Sequence, residues 1–234
     1  GLQIVEKAKQ NGKGFKDLTH TVKMVLVDEG GDRTEREMLM KAMTESNGDS
    51  YSLSIFTAPQ REKGISLLTV AEKSSSDKQY LYLPSTRRVK RITSSNKGSS
   101  FRGSEFTFED LSDQKTEDYR FELVKEEPCA AQTCFVVDRF PKSDDSSYSK
   151  TQLWIDSEYF RPIKAEFYDR DNKQLKTMQT EGYELFEGKY WNPKQITMTN
   201  HQTGKSTQMI SLELKMNTGL RSSEFTELAM RNWR

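Results

Sequence analysis

Residues 79–111 read QYLYLPSTRRVKRITSSNKGSSFRGSEFTFEDL. Tyr80–Leu83 is short and strand-like and stops at Pro84, which has no amide hydrogen to give a sheet. Arg87, Arg88, Lys90 and Arg91 then alternate around Val89 and Ile92, as in a second strand paired with the first. A Ser/Asn/Gly loop follows. Phe101, Phe106 and Phe108 are then spaced around Gly103 and close on Glu109, Asp110 and Leu111. Gly103 breaks any strand here, so 101–113 is expected to be irregular or a short turn of helix. A basic strand leading into a short, apolar, glycine-hinged segment has the shape of a loosely tethered cover.

The same strand texture runs outward in both directions. Thr19–Val27 carries Val22, Met24 and Leu26 on one face, and Thr34–Met43 carries Arg36, Met38 and Met40. Asn47-Gly48-Asp49 signals a turn into Tyr51–Thr57, with Leu53 and Ile55, and Ile65–Ala71 follows with Leu67. Leu81 and Leu83 belong to the quoted stretch. Downstream, strands are expected at 119–125, 134–140, 150–156, 162–168, 174–186, 195–201 and 206–216. Leu2, Val5 and Ala8 recur at helical spacing in 2–10. A last helix at 223–231 is expected to turn Phe225 and Leu228 inward.

The 234 residues carry 36 Lys and Arg against 35 Asp and Glu, a net charge of +1, and only 33% are hydrophobic. That is lean for a compact core and suits a sheet with one face in water. No linker or composition shift divides the chain; Ser74-Ser75-Ser76-Asp77 and 143–147 are hairpin tips. Residues 1–234 therefore read as a single domain. About a dozen antiparallel strands must curl, and with two or three short helices they form an open or half-closed barrel.

Near-neutral charge gives no field to steer the chain toward nucleic acid, and no stretch is apolar enough to span a bilayer. The chain opens at Gly1 without a charged-then-apolar leader, so an exported protein would already have lost its signal peptide. His20 and His201, the two histidines, sit in polar surroundings beside turns. No nucleophile elbow, zinc motif or phosphate loop occurs, and Glu105 and Glu109 are a poor catalytic pair. Neither an enzyme, a cofactor nor a metal is expected. The basic strand suits phosphate headgroups or an acidic partner protein, or else is an edge kept soluble by its charge.

Cys129 and Cys134 flank four residues between strand-like segments. They could be two inert apolar side chains or a cross-hairpin disulfide worth about 2 kcal/mol. An exported location favours the disulfide.

The pattern YLYLPSTRRVKRI…SFRGSEFTFEDL resembles the outer-membrane lipoprotein-sorting proteins, relatives of the periplasmic lipoprotein carrier LolA. LSIFTAPQREKGISLLTV (53–70), YWNPKQITMTNHQTGKST (190–207) and SSEFTELAMR (222–231) are similar to the same family, in order along nearly the whole chain. The resemblance implies a LolA-like, mainly β fold: one curled antiparallel sheet forming an incomplete barrel, with helices roofing an apolar concave face. It also implies a periplasmic carrier or chaperone, monomeric and peripheral to the membrane, that binds a lipid or lipoprotein acyl chain and works with an inner-membrane exporter.

On that reading the cavity is lined by Val22, Met24, Leu26, Arg36, Met38 and Met40, then Leu53, Ile55, Leu67, Leu81 and Leu83. Phe101, Phe106, Phe108 and Leu111 form the lid, and Arg87, Arg88, Lys90 and Arg91 meet a headgroup or partner. The family's lid-latching arginine precedes the strand-ending proline. Here Ala58 stands before Pro59, leaving Arg36 as the substitute. An adaptor that docks through its basic strand and holds no lipid is the competing reading. Burying one acyl chain of about 16 carbons is worth roughly 12 kcal/mol, so a carrier that must release its cargo shelters it only partly.

Overall fold

The computed structural model describes residues 1–234 except Lys13, Ser74, Ser76, Ala130, Ala131 and Arg234. Parts of the expected tip at 74–77 and of the turn between the cysteines thus lie outside the described residues. Helix α1 (Leu2–Asn11) leads into β1 (Asp17–Val27), β2 (Arg33–Thr44), β3 (Ser50–Ala58), β4 (Ser66–Ala71), β5 (Lys78–Leu83) and β6 (Arg88–Ile92). After residues 93–118 come β7 (Tyr119–Cys129), β8 (Gln132–Pro141), β9 (Lys150–Asp156) and β10 (Pro162–Tyr168). The long hairpin of β11 (Gln174–Phe186) and β12 (Tyr190–Asn200) follows, then β13 (Ser206–Met216) and helix α2 (Glu227–Asn232).

All the strands join one 13-stranded antiparallel sheet in the order β6-β5-β4-β3-β2-β1-β13-β12-β11-β10-β9-β8-β7. The first and last strands meet in the middle, and the seam is clamped by Asp17. Its carboxylate accepts from the Thr218 amide (2.6 Å) and hydroxyl (2.7 Å) and from the Gly219 amide (3.1 Å). The sheet edges, β6 and β7, are consecutive in sequence, so the 93–118 connector runs from one edge of the unclosed sheet to the other.

Strand alternation separates two apolar faces. Val22, Met24, Met38, Phe56, Leu67, Ala165, Phe167, Met198 and Met209 form the larger cluster, drawn from both halves of the sheet. That breadth marks the concave side. Leu53, Ile55, Leu68 and Tyr82 point the other way, packing with Phe225 and Met230.

The expected helical roof is not formed by α2. Helix α2 lies on the outer face, against β4 and β5, and the irregular connector covers the middle of the concave face. The topology explains why: a chain that must pass from edge β6 to edge β7 has to cross the opening. Helix α2 also differs in register from expectation. Met230 is its buried residue, whereas Leu228 is 66% exposed.

Candidate functional site

The connector places three aromatic rings in the trough. Phe101 is fully buried and stacks on Phe56 of β3 (centroids 5.6 Å), and Phe108 meets it edge-on at 5.9 Å. Phe106 is buried beside them. The reversal depends on Arg102 and Gly103, both at positive φ (55° and 77°), which let the Phe101 amide donate to the Phe106 carbonyl at 2.8 Å. Glycine takes this conformation at little cost, whereas a side chain is strained there.

Around the rings stand the expected Val22, Met24, Met38 and Leu67, with Leu26, Met40, Leu81, Leu83 and Leu111 partly buried at the margin. Leu53 and Ile55 do not join them. They lie on the opposite face beneath α2, because each is an odd number of positions from Phe56, the inward residue of β3.

Polar contacts tie the connector to the first half of the sheet, so it is not loosely tethered. One Arg36 Nη donates to the Arg102 carbonyl oxygen at 2.6 Å, and the other lies 3.8 Å from Glu62. Arg102 in turn donates to Glu62 from Nε (3.2 Å) and Nη2 (2.9 Å). Burial lowers the Arg36 pKa, opposed by the Glu62 charge; an arginine keeps its proton regardless. Gln79, buried on β5, donates to the Phe108 carbonyl at 3.0 Å.

The other half of the sheet holds the same segment. Lys176 of β11, 2% exposed, donates to Asp110 Oδ2 at 2.5 Å and to the Glu105 carbonyl at 3.0 Å. Tyr148 donates to the second Asp110 oxygen at 2.9 Å, and burial followed by the Asp110 charge raises its pKa well above the usual phenol range. Asn200 donates to Glu105 (2.8 Å), while the Ser147 amide donates to Glu109 (2.9 Å). Glu105 and Glu109 thus serve as separate anchors. Lys9 of α1 adds a bond to Asp113 at 2.9 Å.

The basic strand divides its side chains. Arg88, Lys90 and Ile92 are paired with Leu83, Leu81 and Gln79 on the concave side, while Arg91 pairs with Tyr80 on the outer side. Arg87 lies in the preceding turn with φ 53°. All four cations are exposed, three on the edge strand and Arg87 in the turn before it. A polar cleft of about 590 Å³ separates this edge from β7, with Arg91, Lys97, Lys142, Asp77 and Glu117 among its walls.

His20 of β1 meets the Ser211 hydroxyl at 2.8 Å, and His201, in the turn after β12, meets the Thr177 hydroxyl at 2.7 Å. Cys129 and Cys134 are bonded to each other across the β7–β8 turn, with Cα atoms 5.7 Å apart. Among the described residues no group of three or more His, Cys, Asp and Glu is placed to hold a metal ion, and no helix is long and apolar enough to cross a membrane.

Sequence reasoning missed Lys176, Glu62, Gln79 and Tyr148. Lys176 left one signal: it falls two residues before Met178, on the inward face of β11. Glu62, in a turn whose other charges, Arg61 and Lys63, are exposed, left none.

The fold is thus an unclosed antiparallel half-barrel whose apolar trough is occupied by its own edge-to-edge connector. Solved structures share this fold. An outer membrane lipoprotein-sorting protein domain from Vibrio parahaemolyticus matches with TM-score 0.95 and 37% identity, over 99% of this chain and 98% of that one. A DUF1329 family protein from Desulfovibrio piger has the same fold (TM-score 0.92, 23% identity, 98% and 97% covered). So does a LolA superfamily protein from Nitrosomonas europaea (TM-score 0.75, 21% identity, 96% of each chain). A family model described only as that of an uncharacterized protein matches residues 48–232. No curated protein matches the chain. The chain belongs to the outer-membrane lipoprotein-sorting, LolA-like family.

Proposed function

We propose that this protein is a non-enzymatic periplasmic carrier that shelters the acyl chain of a lipid or lipoprotein in its concave face and passes it between membrane partners. The observation that carries the reading is the trough itself. Its apolar lining comes from strands in both halves of an unclosed sheet, and the middle is covered by an irregular segment held by side-chain contacts. Periplasmic location, a monomeric state and an inner-membrane exporter as partner belong to the same proposal and rest on the family.

Magnitudes constrain the mechanism. Burying three phenylalanines stabilises the connector by roughly 6 kcal/mol or more, and one acyl chain of about 16 carbons is worth about 12 kcal/mol. A cargo that evicted the whole plug would lose about half its binding energy to that step. Weak enough binding for hand-over follows directly.

The test is uptake of a fluorescent acyl probe by the detergent-free protein, with Met40→Glu at the margin of the trough as the variant. Saturable uptake by the parent protein and its loss in the variant are expected. No uptake by the parent would reject the carrier. One observation favours a second reading: four exposed cations on the edge strand β6 and the turn that leads into it. A docking module would bind an acidic partner in a salt-sensitive way, lose that binding in Arg87→Glu/Arg88→Glu, and take up no acyl probe.

A further inference from the structure

Strand β7 ends the sheet and pairs only with β8, so one row of its backbone amides and carbonyls has no strand to meet. It is 11 residues long, against 5 in the other edge strand, β6. Its middle is apolar and uncovered: Leu123 is 47% exposed and Val124 48%. Leu2 of α1, exposed as well, borders a groove on the same strand with Phe121 and Phe140.

A β-bulge decides how the charges of this strand are arranged. The register against β8 shifts between Leu123 and Lys125, so Val124 is the extra residue. Arg120 and Glu122 stand opposite Phe140 and Asp138, and beyond the bulge Lys125 and Glu127 stand opposite Val136 and Cys134. Those four β8 residues alternate along their strand, so all four charges of β7 lie on one face, the outer one that carries Trp154. Without the bulge, Lys125 and Glu127 would turn to the concave side. The outer face of the edge therefore reads plus, minus, plus, minus. Within the chain, Arg120 pairs with Glu122 and Lys125 with Glu127.

That order is self-complementary. A second copy laid antiparallel about a two-fold axis between Leu123 and Val124 sets Arg120 against Glu127 and Glu122 against Lys125, each pair twice. Leu123 meets Val124 at the centre. The two bulges then face each other, which keeps opposed side chains on the same face along the whole strand. Parallel pairing in register would oppose like charges. The other edge offers no such match, because β6 carries only the cations Arg88, Lys90 and Arg91 and would repel a second copy. A single self-complementary edge closes a dimer and leaves no further edge to build a fibre.

We infer that two copies of this chain pair antiparallel through β7, with Arg120 opposite Glu127 and Glu122 opposite Lys125. Cross-strand ion pairs on an exposed face are individually weak, so the contact is reversible. The monomer of the carrier proposal is its dissociated form. The dimer joins the two sheets with their concave sides facing the same way, and nothing in the contact depends on what the trough holds.

Sedimentation of the intact protein over a rising concentration series should show a monomer–dimer equilibrium. Glu122→Lys and Lys125→Glu lie at exposed positions, and circular dichroism checks that each folds. Each opposes like charges twice and should dimerise roughly tenfold or more weakly than the parent. Mixed in equal amounts, the two variants are complementary at every position and should dimerise as the parent does. The double variant Glu122→Lys/Lys125→Glu should do the same. Amide exchange in the dimer should slow across 119–127 and not across 88–92.

A parent that stays monomeric throughout would overturn the inference, as would single variants that dimerise like the parent. A mixture and a double variant that both fail to recover would reject this register. Slower exchange in 88–92 alone would assign the contact to β6 and overturn the pairing through β7.

Discussion

The Arg36 guanidinium on β2 donates to the carbonyl oxygen of Arg102, 2.6 Å away at the reversal of the connector. One bond thus joins the sheet to the residue preceding Gly103. Both arginines converge on Glu62, which is almost fully buried.

Arg36→Met removes the sheet's hold on that reversal and leaves Glu62 with Arg102 alone. Breaking a buried pair costs about 3 kcal/mol or more. The expected outcome is a lower melting temperature together with faster amide exchange confined to residues around 100–108, read by mass spectrometry. Unchanged exchange in that window would show that the phenylalanines alone hold the connector.

Lys176 and Asp110 form the opposite anchor, and neither partner tolerates being left alone. Lys176→Met or Asp110→Asn singly should destabilise by about 3 kcal/mol, whereas the double variant should recover much of the loss, because two neutral groups no longer need each other. Urea melts of the four proteins in a double-mutant cycle measure the coupling. Additive losses would mean that the two side chains act independently.

Leu53 and Met40 lie on opposite faces of the sheet and should separate stability from binding. Leu53→Ala opens space beneath Phe225 and Met230 and should cost about 2–5 kcal/mol. Acyl-probe affinity of the folded variant should stay unchanged at low temperature. Met40→Glu should show the reverse pattern. Loss of binding in Leu53→Ala would mean that the two faces are coupled.

Asp17 predicts an acid-sensitive seam. Burial pushes its carboxyl up, but bonds from the Thr218 hydroxyl and amide and the Gly219 amide outweigh this and hold it below the usual value. A carboxyl depressed in the folded state contributes stability above its unfolded pKa of about 4 and loses it as pH falls through the lower folded value. Asp17→Asn should therefore be less stable than the parent at pH 7 by about 1–2 kcal/mol, a gap that narrows as the pH drops below about 4. Melts of both proteins across pH 2–7 give the curve, and a gap independent of pH would exclude the ionised carboxylate as its source.

The strand count, the single sheet and the basic edge were legible because local chemistry carries them. Alternating side chains, Asn-Gly and proline stops fix where the chain extends and where it turns, without reference to distant residues. The three phenylalanines were legible as one irregular apolar segment, because Gly103 interrupts any strand there.

Faces and anchors were not, since each depends on which residues the curled sheet brings together. Leu53 and Leu67 are equally apolar in sequence, and only pairing puts one under α2 and the other under the plug. Nothing near Lys176 announces Asp110, 66 positions earlier. The sequence by itself determined a curled antiparallel sheet with an apolar cover, through periodicity and turn chemistry. Tertiary structure alone decided that the cover is bolted to both halves. Contacts between residues far apart in the chain depend on closure of the fold, which no local pattern encodes.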